Sequence, residues 1–164
     1  MNRNIFIIVL LLVLLGCGSS RSSFKSRNVS SYYIFPKEFE IPNSIHFSDL
    51  KDRCTPSNQD VERSEELIAK QLKTINTHLV DQGIKGCPII HDNLNKYKRQ
   101  YIGYKDNNGD KIMWINFFIA KDKESVKNMK RQVIIVLDGC SQYWNVKINL
   151  DRDRVYDLHI NGIS

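Results

Sequence analysis

No apolar run in this 164-residue sequence is long enough to cross a bilayer as a helix of a mature chain. No two cysteines stand at Cys-x-x-Cys spacing, which argues against a redox motif or a zinc knuckle. The second half of the chain has no internal repeat and no low-complexity block. Charge of one sign is never concentrated: 24 Lys and Arg are spread among 18 Asp and Glu, for a net charge of +6. Without a dense basic stripe, no nucleic-acid partner is expected. No pair of residues reads as an acid and its base, so an enzyme is not expected either. What is present is the composition of a globular protein, 41% apolar and 26% charged, with length for one domain.

The N-terminus carries the strongest signal. Met1-Asn2-Arg3-Asn4 is a short segment with one positive charge, and residues 5–15 are uninterruptedly apolar. That is the length of a signal-peptide core and about half of a spanning helix. Leu14-Leu15-Gly16-Cys17 follows and resembles the bacterial lipobox. The resemblance implies cleavage after Gly16 and a covalent lipid on Cys17, the one cofactor-like group expected. Two or three acyl chains anchor a protein stably, at about 0.8 kcal/mol per buried methylene. Gly18, a non-acidic residue after the lipidated position, points by resemblance to known sorting rules to the outer membrane, facing the periplasm. The membrane is thus an expected partner, through the anchor. The expected organisation is a signal peptide over 1–16, a lipidated cysteine and flexible tether over 17–45, and a single domain over 46–164. The serine-rich composition of residues 18–31 suits a tether. Tyr32-Tyr33-Ile34-Phe35-Pro36 and Phe39-Glu40-Ile41-Pro42 are more apolar and can pack on the domain as an extended arm.

Thr55-Pro56 reads as a helix start, and Val61, Ile68, Leu72, Ile75 and Leu79 recur at helical spacing until Gly83. After residue 96 the period changes to two. Strands are expected at 97–105, 111–120, 132–138, 143–150 and 154–160, with a hairpin turn at Asp106-Asn107-Asn108-Gly109. Met113, Ile115 and Phe117 should share one face, as should Trp144, Val146 and Ile148, and in the last strand Tyr156, Leu158 and Ile160. The fold class is α+β: one amphipathic N-terminal helix packed on a mostly antiparallel meander of four to five strands. Cystatin-like and nuclear-transport-factor-like layouts have this shape.

Thr55-Pro56, residues 97–103, Trp114-Ile115-Asn116-Phe117-Phe118, residues 133–139, residues 143–150 and the ending Ile160-Asn161-Gly162-Ile163-Ser164 together resemble a group of small bacterial lipoproteins of uncharacterised function. The resemblance covers roughly residues 54–164. It implies a lipid-anchored envelope protein and carries no activity with it. Cys140 stands where a second glycine is expected after Asp138-Gly139.

The remaining chemistry is sparse. An exported chain permits disulfides. Cys54 and Cys87 flank the helix and are one possible pair, although the helix holds its ends about 30 Å apart. His78, Cys87 and His91 match no zinc spacing, and no metal site is expected. Gly83-Ile84-Lys85-Gly86 has the form of an RNA-clamping loop in the wrong context, and the Asp106–Asp110 stretch lacks the closing glutamate of a calcium loop. The sheet face away from the helix offers Arg99, Tyr101, Trp114, Asn116, Tyr143, Asn145 and His159. Rings interleaved with amides and a guanidinium equip a platform for a glycan, a peptide or an envelope protein. The first strand's alternation also permits Arg99 and Tyr101 to face the helix. The expected function is therefore a non-catalytic binding or accessory module, and the alternative is an inhibitor of an exogenous hydrolase of protease or lysozyme type. The inhibitory Gln-x-Val-x-Gly pattern of cystatins is absent.

Overall fold

The computed structural model describes residues 32–163. The expected signal segment, Cys17 and the first part of the expected tether lie outside them. The fold is α+β, with one long helix and a mostly antiparallel six-stranded sheet.

Helix α1 spans Asn58–Ile75 and begins two residues later than the Thr55-Pro56 pair predicts. Ser57 is the cap. Its hydroxyl accepts from the Asp60 amide, and the Asp60 carboxylate accepts from the Ser57 amide. This reciprocal arrangement satisfies two amides that a helix start otherwise leaves open. Burial pushes the Asp60 carboxyl upward, but hydrogen bonds from Lys111 and Ser57 outweigh it and hold the group below the usual carboxylate range. The helix stops at Asn76, well before Gly83, because the Asn76 side chain is taken up by Gln82 and His91. Leu79 therefore leaves the apolar stripe and is exposed with φ of +48°.

The strands are β1 (Tyr32–Ile34), β2 (Leu50–Cys54), β3 (Lys98–Asp106), β4 (Lys111–Phe118), β5 (Tyr143–Asn149) and β6 (Arg154–Ile160). Strands β3 to β6 form an antiparallel meander of four of the five strands expected. The outer edge of β3 takes β1 in parallel along Arg99–Tyr101 and β2 antiparallel along Gly103–Asp106. Neither of these strands is legible as one in the sequence. Residues 32–45, assigned above to the tether, therefore pack as part of the folded unit. Phe35 shows why: its side chain is fully buried and its amide donates to the Tyr101 carbonyl. The hairpin after β3 is as expected, with Gly109 at φ of +87° and Asp106 accepting from the amides of Asn108 and Asp110.

One sheet face packs on α1. Val61, Leu67, Ile68 and Leu72 join Tyr101, Met113, Ile115, Phe117, Trp144, Val146, Ile148 and Val155 in a single core. Phe117 stacks on Trp144 at 3.7 Å between ring centroids. The other face carries Ile102, Tyr104, Ile112 and Trp114 and is covered by Phe35, Phe39, Ile41, Ile45, Phe47 and Val133. Two expectations fail here. Residues 132–138 are not a strand; they cross the second face as irregular chain after the short helix α2 (Lys123–Asn128). Tyr156 faces the second core, and Val155 takes the helix side. An extra residue in β6 causes this, since Lys147 pairs with Tyr156 but Asn145 with His159, and Asp157 bulges out at φ of +53°.

The disulfide is Cys87–Cys140, and Cys54 is free. This corrects the Cys54–Cys87 pairing. Cys54 ends β2 at the start of α1, an 18-residue helix about 27 Å long, and Cys87 lies in the loop beyond its far end. Cys140 sits beside that same loop, where Ser141 donates to the Pro88 carbonyl and Gln142 to the Gly86 carbonyl. The preceding Gly139 has φ of +93°, and a Cβ there would meet the Tyr143 ring at 2.9 Å. Among the described residues no helix is long and apolar enough to cross a membrane.

Candidate functional site

A groove of about 580 Å³ opens on the sheet face away from α1. Alternation builds its floor: Trp114 and Asn116 from β4 and Tyr143, Asn145 and Lys147 from β5 all turn away from the helix. Beyond them come Asp157 and His159 of β6. One wall is the arm at Ser44–Phe47, and the other is the irregular segment Ile134–Leu137. The volume lies within the range of ordinary small-ligand sites.

The arm is held by Arg53 of β2, whose guanidinium donates to the carbonyls of Phe39, Pro36 and Gly103. The opposite wall is held by amide side chains. Gln100 donates to the carbonyls of Met129 and Gln132 and accepts from the Ile134 amide. Asn116 donates to Gln100 and to the Ile134 carbonyl. Asn161 donates to the carbonyls of Val136 and Asp138.

Of the seven platform residues expected from sequence, five line the groove: Trp114, Asn116, Tyr143, Asn145 and His159. Arg99 and Tyr101 do not. They point to the helix, where Glu65 accepts from Arg99 at 3.0 Å and from the Tyr101 hydroxyl at 2.7 Å. Strand β3 is buried on both faces, so its polar–apolar pattern could not report its orientation. Burial, reinforced by the Glu65 charge, drives the Tyr101 hydroxyl well above its ordinary range.

The five are not equally available. Trp114 is 6% exposed; its indole donates to the Asn145 side-chain oxygen, and Phe47 covers it edge-on at 5.8 Å. Asn116 is committed to the wall. The Asn145 amide nitrogen, the Tyr143 hydroxyl and the His159 ring have no hydrogen-bond partner among the described residues. Lys147 lies between Asp157 at 2.9 Å and Asp49 at 3.8 Å, beneath the Phe47 ring. Next to it Tyr104 donates to Asp49. Burial and the neighbouring carboxylates of Asp49, Asp106 and Asp157 push Tyr156 up to about 12. Burial and the proximity of Tyr156 and Asp49 also raise Tyr104. Both phenols stay neutral in the physiological range and serve as hydrogen-bonding groups. Lys147 was legible by its place in the β5 alternation. His46 and Phe47 were missed because they lie in the arm.

Among the described residues no group of three or more His, Cys, Asp or Glu side chains is placed to hold a metal ion. The chain matches no protein-family model, no curated protein and no solved structure with which it was compared.

Proposed function

We propose that this chain is a lipid-anchored envelope protein whose domain is a non-catalytic binding module, with the groove as its ligand site. The anchor rests on the Leu14-Leu15-Gly16-Cys17 pattern and the apolar run before it, and the outer-membrane, periplasm-facing location on the non-acidic Gly18 that follows. The observation that carries the binding reading is a groove of ligand size whose free polar groups, from Asn145, Tyr143 and His159, converge beside an apolar wall. A few convergent polar groups in an apolar setting fix the orientation of a ligand. Against catalysis, the most buried cation of the groove, Lys147, is engaged by two carboxylates. The open amides suit a glycan or a short peptide backbone.

The two tryptophans supply the experiment. The Trp114 indole lies at the groove and the Trp144 indole on the helix face. Titration with chitotriose, a muramyl dipeptide and a tetra-alanine peptide, followed by the two indole NH resonances, should move Trp114 and leave Trp144 in place. Asn145→Ala, which removes the partner of the Trp114 indole, should weaken that binding about tenfold by the loss of one hydrogen-bonding group. If none of the three probes moves Trp114, or both indoles shift alike, the groove is not the site.

A further inference from the structure

The segment after β4 carries two features beyond its part in the groove wall. Lys121, Lys123, Lys127, Lys130 and Arg131 are all exposed, against only Asp122 and Glu124 over the same stretch. Asp122 is partly spent on capping α2, where it accepts from the Ser125 amide. The chain then turns apolar. Val133 enters the second core, but Ile135 is exposed and Leu137 is 94% exposed. Leu137 is held there: the Asn161 side chain takes the carbonyls on both sides of it, at Val136 and Asp138. At the other end, Met129 is buried and its carbonyl is bound by Gln100. A leucine whose neighbours' carbonyls are both held by Asn161 stays exposed, and it follows the last of the basic residues, Arg131, closely in the chain.

We propose that residues 121–137 form a docking face for an anionic phospholipid bilayer. The cations meet lipid phosphates, and Ile135 and Leu137 enter the boundary between headgroups and acyl chains. The charge complementarity is direct, since basic residues at an anionic leaflet each strengthen attachment. The apolar side chains add contact that salt does not screen. Because Ile135 and Leu137 also form the lip of the groove, docking turns the groove's mouth toward the membrane surface. The proposal rests on the anchored reading in one respect. Only 14 residues separate Cys17 from Tyr32. A chain of that length spans at most about 50 Å, so an anchored domain stays within reach of the leaflet.

The test uses the full chain carrying Leu137→Trp, reconstituted in vesicles of brominated phosphatidylcholine with or without phosphatidylglycerol. Trp114 and Trp144 are 6% and 1% exposed, so quenching by bromine reports the introduced indole. Strong quenching in the anionic vesicles, weak quenching in the neutral ones and relief by salt are expected. Replacing Lys123, Lys127 and Lys130 by Gln should lower the docked population about fivefold for each charge removed. Equal quenching in both vesicles, or none in either, overturns the proposal. So does a response to an added envelope protein fraction without a response to lipid, which would assign the face to a protein. The intact mass reports the anchor separately: an unmodified Cys17 refutes the anchored reading, while the difference between the two vesicles decides the docking face in either case.

Discussion

On one face of the sheet, Tyr101, Ile115, Phe117 and Trp144 meet the apolar stripe of a single helix; on the other, Ile102, Tyr104, Ile112 and Trp114 meet two irregular segments that arrive from different parts of the chain. The two coverings solve the same problem by different means. A helix satisfies its own backbone, so α1 can present mainly hydrocarbon to the sheet. An irregular segment cannot, and its buried carbonyls and amides need partners. That is why the second face carries polar side chains where the first carries few. Gln100, Asn116, Asn161 and Arg53 each bind backbone of the covering segments. The polar cover leaves an open space between its two halves, and that space is the groove. On the helix side, the pocket between the end of α1 and β6 is smaller, about 320 Å³.

The sharpest way to break this comparison is to damage each covering separately. Phe117→Ala should cost about 3–5 kcal/mol, because it removes a fully buried ring stacked on Trp144. The loss should appear as a global fall in the denaturant midpoint. Removing the Cys87–Cys140 bond by Cys87→Ala with Cys140→Ala should cost about 2–4 kcal/mol, since the bond closes a loop with a sequence separation of 53. Urea unfolding of the oxidised and reduced protein measures it.

Gln100→Leu should cost about 2 kcal/mol by leaving the backbone groups at Met129, Gln132 and Ile134 without a partner. Its signature is local. Amide exchange should accelerate at Ile134 and stay slow in α1, and equal acceleration at both would show that the two coverings are not independent. The smallest effect concerns Cys54, at the seam where β2 meets α1. Burial pushes its thiol upward, against an opposing pull from Lys111. At a given pH it holds less thiolate than an ordinary cysteine, so alkylation should be slow and its pH midpoint displaced upward. A pH–rate profile with iodoacetamide, with Cys54→Ser as control, reads this directly.

The helix face was largely legible in the residues. The stripe through Val61, Ile68 and Leu72 and the alternation of β4 and β5 each place a side chain by its distance from near neighbours. The Asn-Gly hairpin is likewise a local signal. Four of the seven platform residues, Trp114, Asn116, Tyr143 and Asn145, followed from the same alternation, and His159 from its place in β6. The exceptions are instructive. Arg99 and Tyr101 lie in a strand buried on both faces, where no alternation exists to be read. Tyr156 was displaced by a bulge, for which one inserted residue inverts every side chain beyond it. Residues 132–138 have a strand's composition, but β4 pairs directly with β5, and the segment lies across the face instead.

Periodicity within single segments of this chain determined most of its long helix, four of the six strands described and the side of β4 and β5 that turns away from the core. The tertiary structure alone decided which cysteine Cys87 joins, that the arm from Tyr32 adds a parallel strand, and that amide side chains hold the groove's walls apart. The reason is physical. Periodic burial is set by residues two to four positions apart, whereas these features join groups separated by tens of residues, whose meeting depends on how the whole chain closes its loops.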